Sequence, residues 1–398
     1  MRKVSLDEQT SLGEEASNKL HSNIPPGGWF PALRDLSWCI TELNVLYIDL
    51  FLSPHLQRIF ISASSSWNYT GVPLAILPTL ASITSALPAS SLERISVENS
   101  DLKIPWARFK DSFSSVILHC GPSFTKYDSP VPLSNAAMDH LIHLSRLHTL
   151  RIHGSPPTYP TSSLPLVFPP LKELTLGEGA ACGWFLLLRR LEDGASTTQG
   201  VTPLSKAKEF LTILDVEDMP GFNIDPSSVS TIQCFRNLVD LYVDVFCPDE
   251  DGRGQCSFKL SNNNVTELAM ALTQVESLIL GHPCSKNTCL TTVACFLPIS
   301  AYCSQLYELE IHFNTTNLVD DLKNILEDPR FQQLRSLPRC PLEGLKVFRM
   351  PLSLDESSIE TVAKTMIDIF PSLTSCEERA RGWERLSLEI SYLQQDLE

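Results

Sequence analysis

Three clusters of side chains along the sequence have the residue types that bind metal ions. The first is His282–Cys289, HPCSKNTC, which holds an imidazole and two thiols. Zinc takes four nitrogen or sulfur ligands, so Cys295 and Cys303 would have to complete the set. The spacing C-x4-C is loose, and no second pair follows at zinc-finger spacing. We therefore predict a loop whose thiols bind no metal.

The second cluster is the acidic run DEDGRGQ at residues 249–255, which resembles a calcium-binding loop. Such a loop needs a glycine at its sixth position and a bidentate glutamate at its twelfth. Counted from Asp249, Gly254 takes the sixth position, but Leu260 takes the twelfth. We therefore predict a solvated turn.

The third cluster consists of the histidines His140, His143, His148 and His153. Two of them fall in a predicted helix and two in the strand region that follows. Imidazole nitrogens are common metal ligands. No further ligand accompanies these histidines at a recognisable spacing, and we predict that they lie on the surface.

Catalytic motifs of the common hydrolases and nucleotide-binding enzymes are absent from the sequence. It has no G-x-x-x-x-G-K-[ST], no G-x-S-x-G and no H-E-x-x-H. We predict a protein that is not an enzyme, with no catalytic residue, no metal and no cofactor. The alternative is an enzyme or metal-binding protein with an unrecognised site that uses Cys284 and Cys289.

A short apolar pattern recurs along the chain, and the elements that it forms would position any functional side chain. The stretch FPPLKELTLGE at residues 168–178 has apolar residues in the order L-x-x-L-x-L. Eleven copies start about 31 residues apart, and such a period is typical of stacked repeats. The copies are Leu33-Leu36-Trp38, Leu56-Ile59-Ile61, Leu92-Ile95-Val97, Phe113-Val116-Leu118, Leu147-Leu150-Ile152, Leu171-Leu174-Leu176, Leu211-Leu214-Val216, Leu238-Leu241-Val243, Val275-Leu278-Leu280, Leu306-Leu309-Ile311 and Leu345-Phe348-Met350.

Helical segments with an apolar face lie between several copies of the pattern. They span residues 74–87, 133–144, 182–193, 262–272, 316–328 and 354–370. Alternating strands and helices predict an α/β leucine-rich-repeat solenoid. In this horseshoe, parallel strands line the concave face, and helices and irregular segments cover the convex face.

The chain has 398 residues, enough for one long solenoid. Residues 1–28 are polar and end in PPGG, so we predict a flexible leader. We expect about eleven repeats over residues 29–383. A degraded twelfth copy starts near Phe370, and residues 384–398 are predicted to form a C-terminal cap or tail that covers the last repeat.

The composition excludes several classes of protein. It is 43% apolar and 19% charged, as in a folded chain, and its formal charge is −15. Acidic proteins are poor binders of nucleic acid and of anionic membranes. The N-terminus lacks the apolar core of a signal peptide, and the longest apolar runs are too short to span a membrane. We predict a cytoplasmic or nuclear protein whose twelve cysteines are reduced.

Four stretches resemble a known family. They are FLSPHLQRIFIS (51–62), CGPSFTKYDSPVPLSNAAMDHLIHLSRLHTLRI (120–152), SLPLVFPPLKELTLG (163–177) and IDIFPSLTSCEERARGW (367–383). They are similar to the F-box and leucine-rich-repeat proteins of mushroom-forming (basidiomycete) fungi, and the resemblance covers about residues 29–383. It implies a leucine-rich-repeat fold and a role in substrate recognition for a cullin-type ubiquitin ligase.

Members of this family bind a Skp-type adaptor through an N-terminal F-box. Residues 1–28 are too short and too polar to form an F-box, so we assign no residue to an adaptor contact. Two functions follow from the resemblance. One is a non-enzymatic protein–protein interaction scaffold like the substrate-recognition region of the family. The alternative is a ubiquitin-ligase substrate receptor, which requires an F-box upstream of this chain.

The concave face is the predicted binding surface. In the frame L1-x2-x3-L4-x5-L6-x7, strand alternation directs positions 4 and 6 into the core and positions 3, 5 and 7 outward. The early strands then present Asp35, Arg58, Phe60, Arg94, Glu98, His119, Arg151 and His153. The later strands present Glu173, Asp215, Glu217, Asp240, Tyr242, Asp244, Glu308, Glu310, His312 and Arg349.

Seven carboxylates in the later strands form a predicted acidic stripe, with Tyr242 as an aromatic anchor. The carboxylates are Glu173, Asp215, Glu217, Asp240, Asp244, Glu308 and Glu310. Like charges on neighbouring strands repel unless a partner neutralises them. Two interpretations remain open. The stripe is either the solvated face of an acidic protein or the binding site for a basic segment of a protein partner.

Overall fold

The computed structural model describes most of the predicted repeats. The described residues are 3–6, 19–20, 22–23, 25, 29–40, 50–63, 91–98, 106–152, 170–177, 209–216, 224–244, 258–281, 289–329, 340–347, 354, 356–378 and 383–395. The chain divides into two compact units, residues 1–179 and residues 180–398. Each unit is described separately below. The predicted domain boundaries, with one solenoid over residues 29–383, stay a prediction.

Unit 1 is built on a parallel sheet whose strand order follows the sequence. Its strands are β1 (Lys3–Leu6), β2 (Asp35–Ile40), β3 (Arg58–Ala63), β4 (Arg94–Val97), β5 (Lys126–Ser129), β6 (Thr149–Ile152) and β7 (Glu173–Leu176). Each strand pairs in parallel with the next. The described helices are α1 (Lys110–Leu118), preceded by a 3-10 turn (Trp106–Phe109), and α2 (Asn135–Ile142).

Unit 2 repeats this arrangement. Its strands are β8 (Ile213–Val216), β9 (Asp240–Asp244), β10 (Ser277–Gly281), β11 (Glu308–Ile311), β12 (Gly344–Val347) and β13 (Ser375–Glu378). Its helices are α3 (Pro226–Ile232), α4 (Asn262–Ala271), α5 (Phe296–Tyr302) after a 3-10 turn (Val293–Cys295), α6 (Leu318–Glu327), α7 (Glu356–Ile369) and α8 (Trp383–Gln395). An α/β fold with an open parallel sheet is therefore confirmed in each unit.

Successive repeats are joined by the same backbone hydrogen bonds. The carbonyl at position 2 of one repeat accepts from the N–H groups at positions 2 and 3 of the next. Gln57 and Arg58 thus donate to the Arg34 oxygen at 2.8 and 2.9 Å, and Glu276 and Ser277 donate to the Val239 oxygen at 2.8 and 3.2 Å. This bond pattern holds consecutive frames in one register, as stacked repeats require.

Apolar side chains at positions 1, 4 and 6 form the core of each unit. Leu238, Leu241 and Val243 of β9 are all buried, as are Leu306, Leu309 and Ile311 around β11. Each buried leucine contributes about 1.5–3 kcal/mol relative to an exposed one. The core therefore follows from the pattern that defines the repeat.

One predicted strand is wrong. Residues 113–118 were predicted as a strand and instead lie in helix α1. Phe113, Val116 and Ile117 are buried on one helical face, and Leu118 is 45% exposed. The strand of this repeat is β5, where Phe124 and Tyr127 occupy positions 1 and 4. Because a buried phenol needs a partner, the Tyr127 hydroxyl donates to the Val131 oxygen at 3.1 Å.

Strand β12 is shifted by three residues from its predicted frame. Leu345 pairs with Leu309, and Val347 pairs with Ile311, so they occupy positions 4 and 6. Leu342 then takes position 1 and is buried. The predicted frame began at Leu345, and its wall residue Arg349 lies outside the described residues.

Both predicted terminal segments contain secondary structure. Residues 3–6 of the predicted flexible leader form β1, which pairs in parallel with β2. The predicted C-terminal cap forms most of α8. There, Ser387 Oγ accepts from the Cys376 N–H at 3.1 Å, and Ser391 Oγ donates to the Thr374 oxygen at 3.0 Å. Helix α8 thus bonds backbone groups of the last repeat that another strand would otherwise pair.

Helix α2 confirms the predicted segment 133–144 within two residues at each end. Ser134 is the N-cap, and its Oγ accepts from the Ala137 N–H at 3.3 Å. Helices α4, α6 and α7 confirm the predicted segments 262–272, 316–328 and 354–370 within two residues at each end. The predicted helices at 74–87 and 182–193 lie outside the described residues.

Candidate functional site

The side chains at strand positions 3 and 5 share one face of each sheet, which we call the wall face. In β9, Leu241 and Val243 are buried, whereas Asp240, Tyr242 and Asp244 are half-buried. Strands β4, β8 and β11 show the same alternation. The predicted outward direction of positions 3 and 5 is therefore confirmed in these strands.

The wall face of unit 2 brings predicted site residues together in two rows. Position 3 of β9, β10 and β11 holds Asp240, Ser277 and Glu308. Position 5 of β8, β9, β10 and β11 holds Asp215, Tyr242, Ile279 and Glu310. Neighbouring strands lie about 4.8 Å apart, so residues two strands apart in a row are separated by about 10 Å.

Three carboxylates lie close enough to influence one another. Burial raises the pKa of Asp240, and the negative charges of Glu276 and Glu308 raise it further. Glu276 is exposed and directly precedes β10. We call Asp240, Glu276 and Glu308 the acidic patch. The charges of Glu276 and Glu308 disfavour a charged Asp240, and a bound cation would relieve this repulsion.

Two hydroxyl groups of the rows in unit 2 donate hydrogen bonds to carboxylates. Ser277 Oγ donates to Glu308 Oε2 at 2.9 Å, and Tyr242 Oη donates to Asp244 Oδ2 at 3.3 Å. These bonds fix the two carboxylates on the wall face. Tyr242 is half-buried, so its ring offers less contact area than an exposed anchor.

A more exposed aromatic residue than Tyr242 adjoins the acidic patch. Tyr307 is 52% exposed, and its backbone N–H donates to the backbone carbonyl oxygen of Glu276 at 2.9 Å. Tyr307 and Glu276 both occupy position 2 of their frames, directly before the strand begins. The predicted binding surface consists of positions 3, 5 and 7, so both residues fall outside it.

The other two carboxylates of the predicted stripe are Glu173 and Glu217. Glu173 belongs to unit 1, where Arg151 forms an ion pair with it at 2.6 Å. Arg151 therefore compensates the charge of Glu173, and a role of Glu173 in partner binding stays a prediction. Glu217 lies outside the described residues.

Position 7 does not always face outward. His312 was predicted on the wall but is fully buried, because β11 ends at Ile311 and the alternation stops there. Its ring meets the Phe258 ring edge-on at a centroid distance of 5.8 Å. His119 follows the end of α1 and is not on a strand. His153 lies outside the described residues.

The described thiols of the first metal candidate are buried. Cys289, Cys295 and Cys303 are each 4% exposed or less. Burial raises the pKa of the Cys303 thiol to about 12 and that of Cys295 further, which disfavours the thiolate that zinc binds. Across the described ranges, no group of three or more His, Cys, Asp or Glu is placed to hold a metal ion. His282 and Cys284 are outside those ranges.

The described histidines of the third candidate each contact a nearby group. His140 Nε2 donates to the Cys120 oxygen at 2.8 Å, and His143 Nδ1 donates to the Asp139 oxygen at 2.6 Å. His148 Nδ1 lies 3.2 Å from Thr149 Oγ1. The ring nitrogens that donate to carbonyls carry protons and cannot bind a metal ion. The predicted turn at residues 249–255 lies outside the described residues.

Comparisons with known proteins identify no family for this chain. No family model matches, and no curated protein matches. Among solved structures, the chain is similar to one titled "Crystal structure of Rad7 and Elc1 complex in yeast". The identity is 14%, the match covers 87% of this chain and 69% of that chain, and the TM-score is 0.23. A score this low supports no conclusion about function.

Among the residues that the structure describes, no helix is both long enough and apolar enough to cross a membrane.

Proposed function

We propose that the chain is a non-enzymatic leucine-rich-repeat solenoid that binds a protein partner on its wall face. The horseshoe arrangement, with strands on the concave side and helices on the convex side, is part of this proposal. The recurring hydrogen bonds from position 2 to the next repeat support it, as does the recurring burial of positions 1, 4 and 6. Stacked repeats with the same spacing form a broad surface that suits an extended partner.

The acidic patch is the observation that carries the choice of partner. Burial raises the pKa of Asp240, and the negative charges of Glu276 and Glu308 raise it further, so Asp240 is harder to ionise than a free aspartate. A lysine or arginine placed between these carboxylates would remove the repulsion and gain charge-assisted hydrogen bonds. The partner is therefore a protein segment with basic side chains.

The exposed ring of Tyr307 adds an apolar contact beside the acidic patch. Tyrosine supplies a large contact area at a low cost in conformational entropy, and it is enriched among the residues that dominate binding. A basic segment with an apolar residue next to its cations would use both features. In an extended conformation, roughly eight residues would cross the six strands of unit 2.

The described thiols support a role without covalent chemistry. Burial raises the pKa of Cys120, Cys340 and Cys376 to about 12 each. A protonated thiol is a poor nucleophile. These cysteines therefore act as small apolar residues of the core.

Binding to a labelled peptide tests the proposal. The probe is a peptide of alternating arginine and serine with one central leucine, and fluorescence anisotropy measures its affinity. The variant Asp240→Asn/Glu276→Gln/Glu308→Gln should weaken binding by about tenfold or more, since close charge pairs couple strongly. Tyr307→Ala should weaken it as well.

The matched control removes the same charge elsewhere in unit 2. Glu267→Gln/Asp320→Asn/Glu327→Gln changes three carboxylates on helices α4 and α6. It should leave the affinity within about twofold, as expected for exposed charges outside a site. Equal losses in both triple variants would show a general effect of net charge and would overturn the site. Thermal unfolding checks that both variants fold.

The resemblance to F-box and leucine-rich-repeat proteins stays a proposal. It implies that the partner is a substrate presented to a ubiquitin ligase. Co-purification of the chain with a Skp-type adaptor would support that role. Failure of the adaptor to bind would leave the scaffold function without a ligase.

A further inference from the structure

The wall face of unit 1 differs in charge from that of unit 2. Position 3 of the first five strands holds Lys3, Asp35, Arg58, Arg94 and Lys126, and the strand register places them side by side. At about 4.8 Å per strand, this row is about 19 Å long. It contains four cations and one carboxylate. We call it the basic row.

Among the described residues, only some cations of the basic row form ion pairs with carboxylates. Asp35 forms an ion pair with Arg58 at 3.4 Å, and Lys126 forms one with Asp128 at 3.1 Å. Within the part of the chain that the structure describes, neither Lys3 nor Arg94 forms an ion pair. Both side chains are exposed. The row therefore keeps an excess of positive charge.

A pocket opens on the wall face along this row. Its volume is about 370 Å³, and its charged lining consists of three cations, Lys3, Arg58 and Arg94, and one carboxylate, Asp35. Leu36 and Ile59 also border the pocket, but their side chains are buried in the core. Positive groups around an open pocket with apolar parts make a site that can hold a carboxylate and exclude some of its water.

The exposed ring of Phe60 also lines the pocket. Phe60 is 41% exposed, and the register places the small residues Ser37 and Ser96 opposite it on the neighbouring strands. Small neighbours leave the ring accessible. The site therefore presents an apolar contact in the row next to the cations.

His148 lies close enough to the basic row for two of its cations, Arg94 and Lys126, to contribute to a lowered pKa. His148 directly precedes β6. Burial lowers its pKa, and the positive charges of Arg94 and Lys172 lower it further, with a smaller contribution from Lys126 and an opposing one from Glu173. The cations of the basic row thus act on a group outside the pocket.

We propose that this pocket is a second binding site, which takes an acidic segment of a protein partner. Carboxylates of the segment would bind Arg58, Arg94 and Lys3, and an apolar side chain between them would pack on Phe60. Guanidinium groups suit this role because they can bind a carboxylate with two parallel hydrogen bonds. The site is independent of the acidic patch, since it lies in the other unit and takes the opposite charge.

A protein segment fits better than a nucleic acid. The chain carries a net charge of −15, which repels a long polyanion, whereas the basic row is short. A short segment would meet the cations without extending over the acidic surface.

The experiment uses the full chain and a labelled peptide of alternating glutamate and serine with one central leucine. Arg94→Gln breaks no described ion pair and should weaken binding by about fivefold or more, and Arg58→Gln/Arg94→Gln should weaken it further. Phe60→Ala should also weaken it. The matched control Lys110→Gln/Arg146→Gln removes two exposed cations of unit 1 outside the wall face and should leave the affinity within about twofold.

Three outcomes would overturn the site. The first is that the acidic peptide shows no saturable binding. The second is that the control variant loses as much affinity as the site variants. The third is that a single-stranded oligonucleotide displaces the labelled peptide at a lower concentration than the unlabelled peptide does. The last would indicate a nucleic-acid site. Measuring the basic peptide with the same variants separates the two proposals, because Arg58→Gln/Arg94→Gln should not weaken its binding.

Discussion

Arg151 donates two hydrogen bonds to one carboxylate oxygen of Glu173. The distances to Oε1 are 2.8 Å from Nε and 2.6 Å from Nη2. Thr149 Oγ1 donates to the other oxygen, Oε2, at 3.2 Å. Thr149 lies opposite Glu173 in the sheet, and Arg151 lies two residues further along β6. Arg151 therefore reaches Glu173 diagonally, as long side chains on adjacent strands can.

Removal of this contact should destabilise unit 1 slightly. Arg151→Ala would leave Glu173 with one hydroxyl donor. We expect a loss of roughly 0.5–1 kcal/mol in the free energy of unfolding, because both side chains are partly exposed and the attraction is screened. Urea unfolding measures the change, with Arg146→Ala as the exposed control. An unfolding curve identical to that of the control would contradict the role of the pair.

Gly281 is held in a backbone conformation that other residues avoid. Its φ is +123°, and a Cβ at this position would lie 2.6 Å from the Cβ of His312. Gly281→Ala should therefore destabilise unit 2 by about 2 kcal/mol or more through backbone strain and collision.

Calorimetry on the Gly281→Ala variant would test this effect. The control is Gly121→Ala, since among the described glycines only Gly281 has a positive φ. We expect the melting temperature to fall with the first variant and to change little with the second. A similar fall in the melting temperature of both variants would mean that the loss of a glycine, and not the contact with His312, causes the destabilisation.

The repeat could be predicted where apolar residues fill all three core positions. Leu238, Leu241 and Val243 carry the pattern without ambiguity. Around β12, two overlapping frames fit the sequence, one from Leu342 and one from Leu345. Only the pairing with β11 selects the first. In β5, Tyr127 takes a position where the pattern expects an aliphatic residue.

The candidate site could be predicted only in part for a similar reason. Alternation along a strand is local, so the outward positions of Asp240 and Glu308 follow from their own segments. The ion pair of Glu173 depends on which residue lies diagonally across the next strand. Tyr307 and Glu276 precede their strands, where alternation predicts no direction. These features require the register between strands, which one segment does not contain.

The acidic patch makes the stability of unit 2 depend on pH. The folded-state pKa of Asp240 is raised above its ordinary value, so folding is most favourable with Asp240 protonated. This contribution is fully present below the unfolded-state pKa, and it is lost as the pH rises through the folded-state pKa. Asp240→Asn should therefore raise the free energy of unfolding at pH 7.

The gain from Asp240→Asn should shrink as the pH falls and vanish in acid, where the native aspartate is already protonated. Urea unfolding at a series of pH values measures it. The control is Asp320→Asn on α6, where the carboxylate is 78% exposed. A gain that stays constant with pH would show that an uncharged effect of the substitution, and not repulsion, is responsible.

The last repeat depends on the contact between helix α8 and the core. Trp383 is 1% exposed, and its ring meets Phe313 edge-on at a centroid distance of 6.2 Å. Trp383→Ala would remove a large buried side chain, and such changes cost about 3–5 kcal/mol. We expect α8 to separate from β13 more often, because its hydrogen bond to the Cys376 N–H would no longer be supported.

Alkylation of Cys376 gives a local measurement of this opening. The thiol is buried, and burial raises its pKa to about 12, so it should react slowly in the native chain. Mass spectrometry should show faster modification of Cys376 in Trp383→Ala, with Cys120 of unit 1 unchanged as an internal control. Ser387→Ala, which removes one hydrogen bond, should give a smaller increase. Equal protection of Cys376 in all three proteins would show that α8 does not cover the last strand.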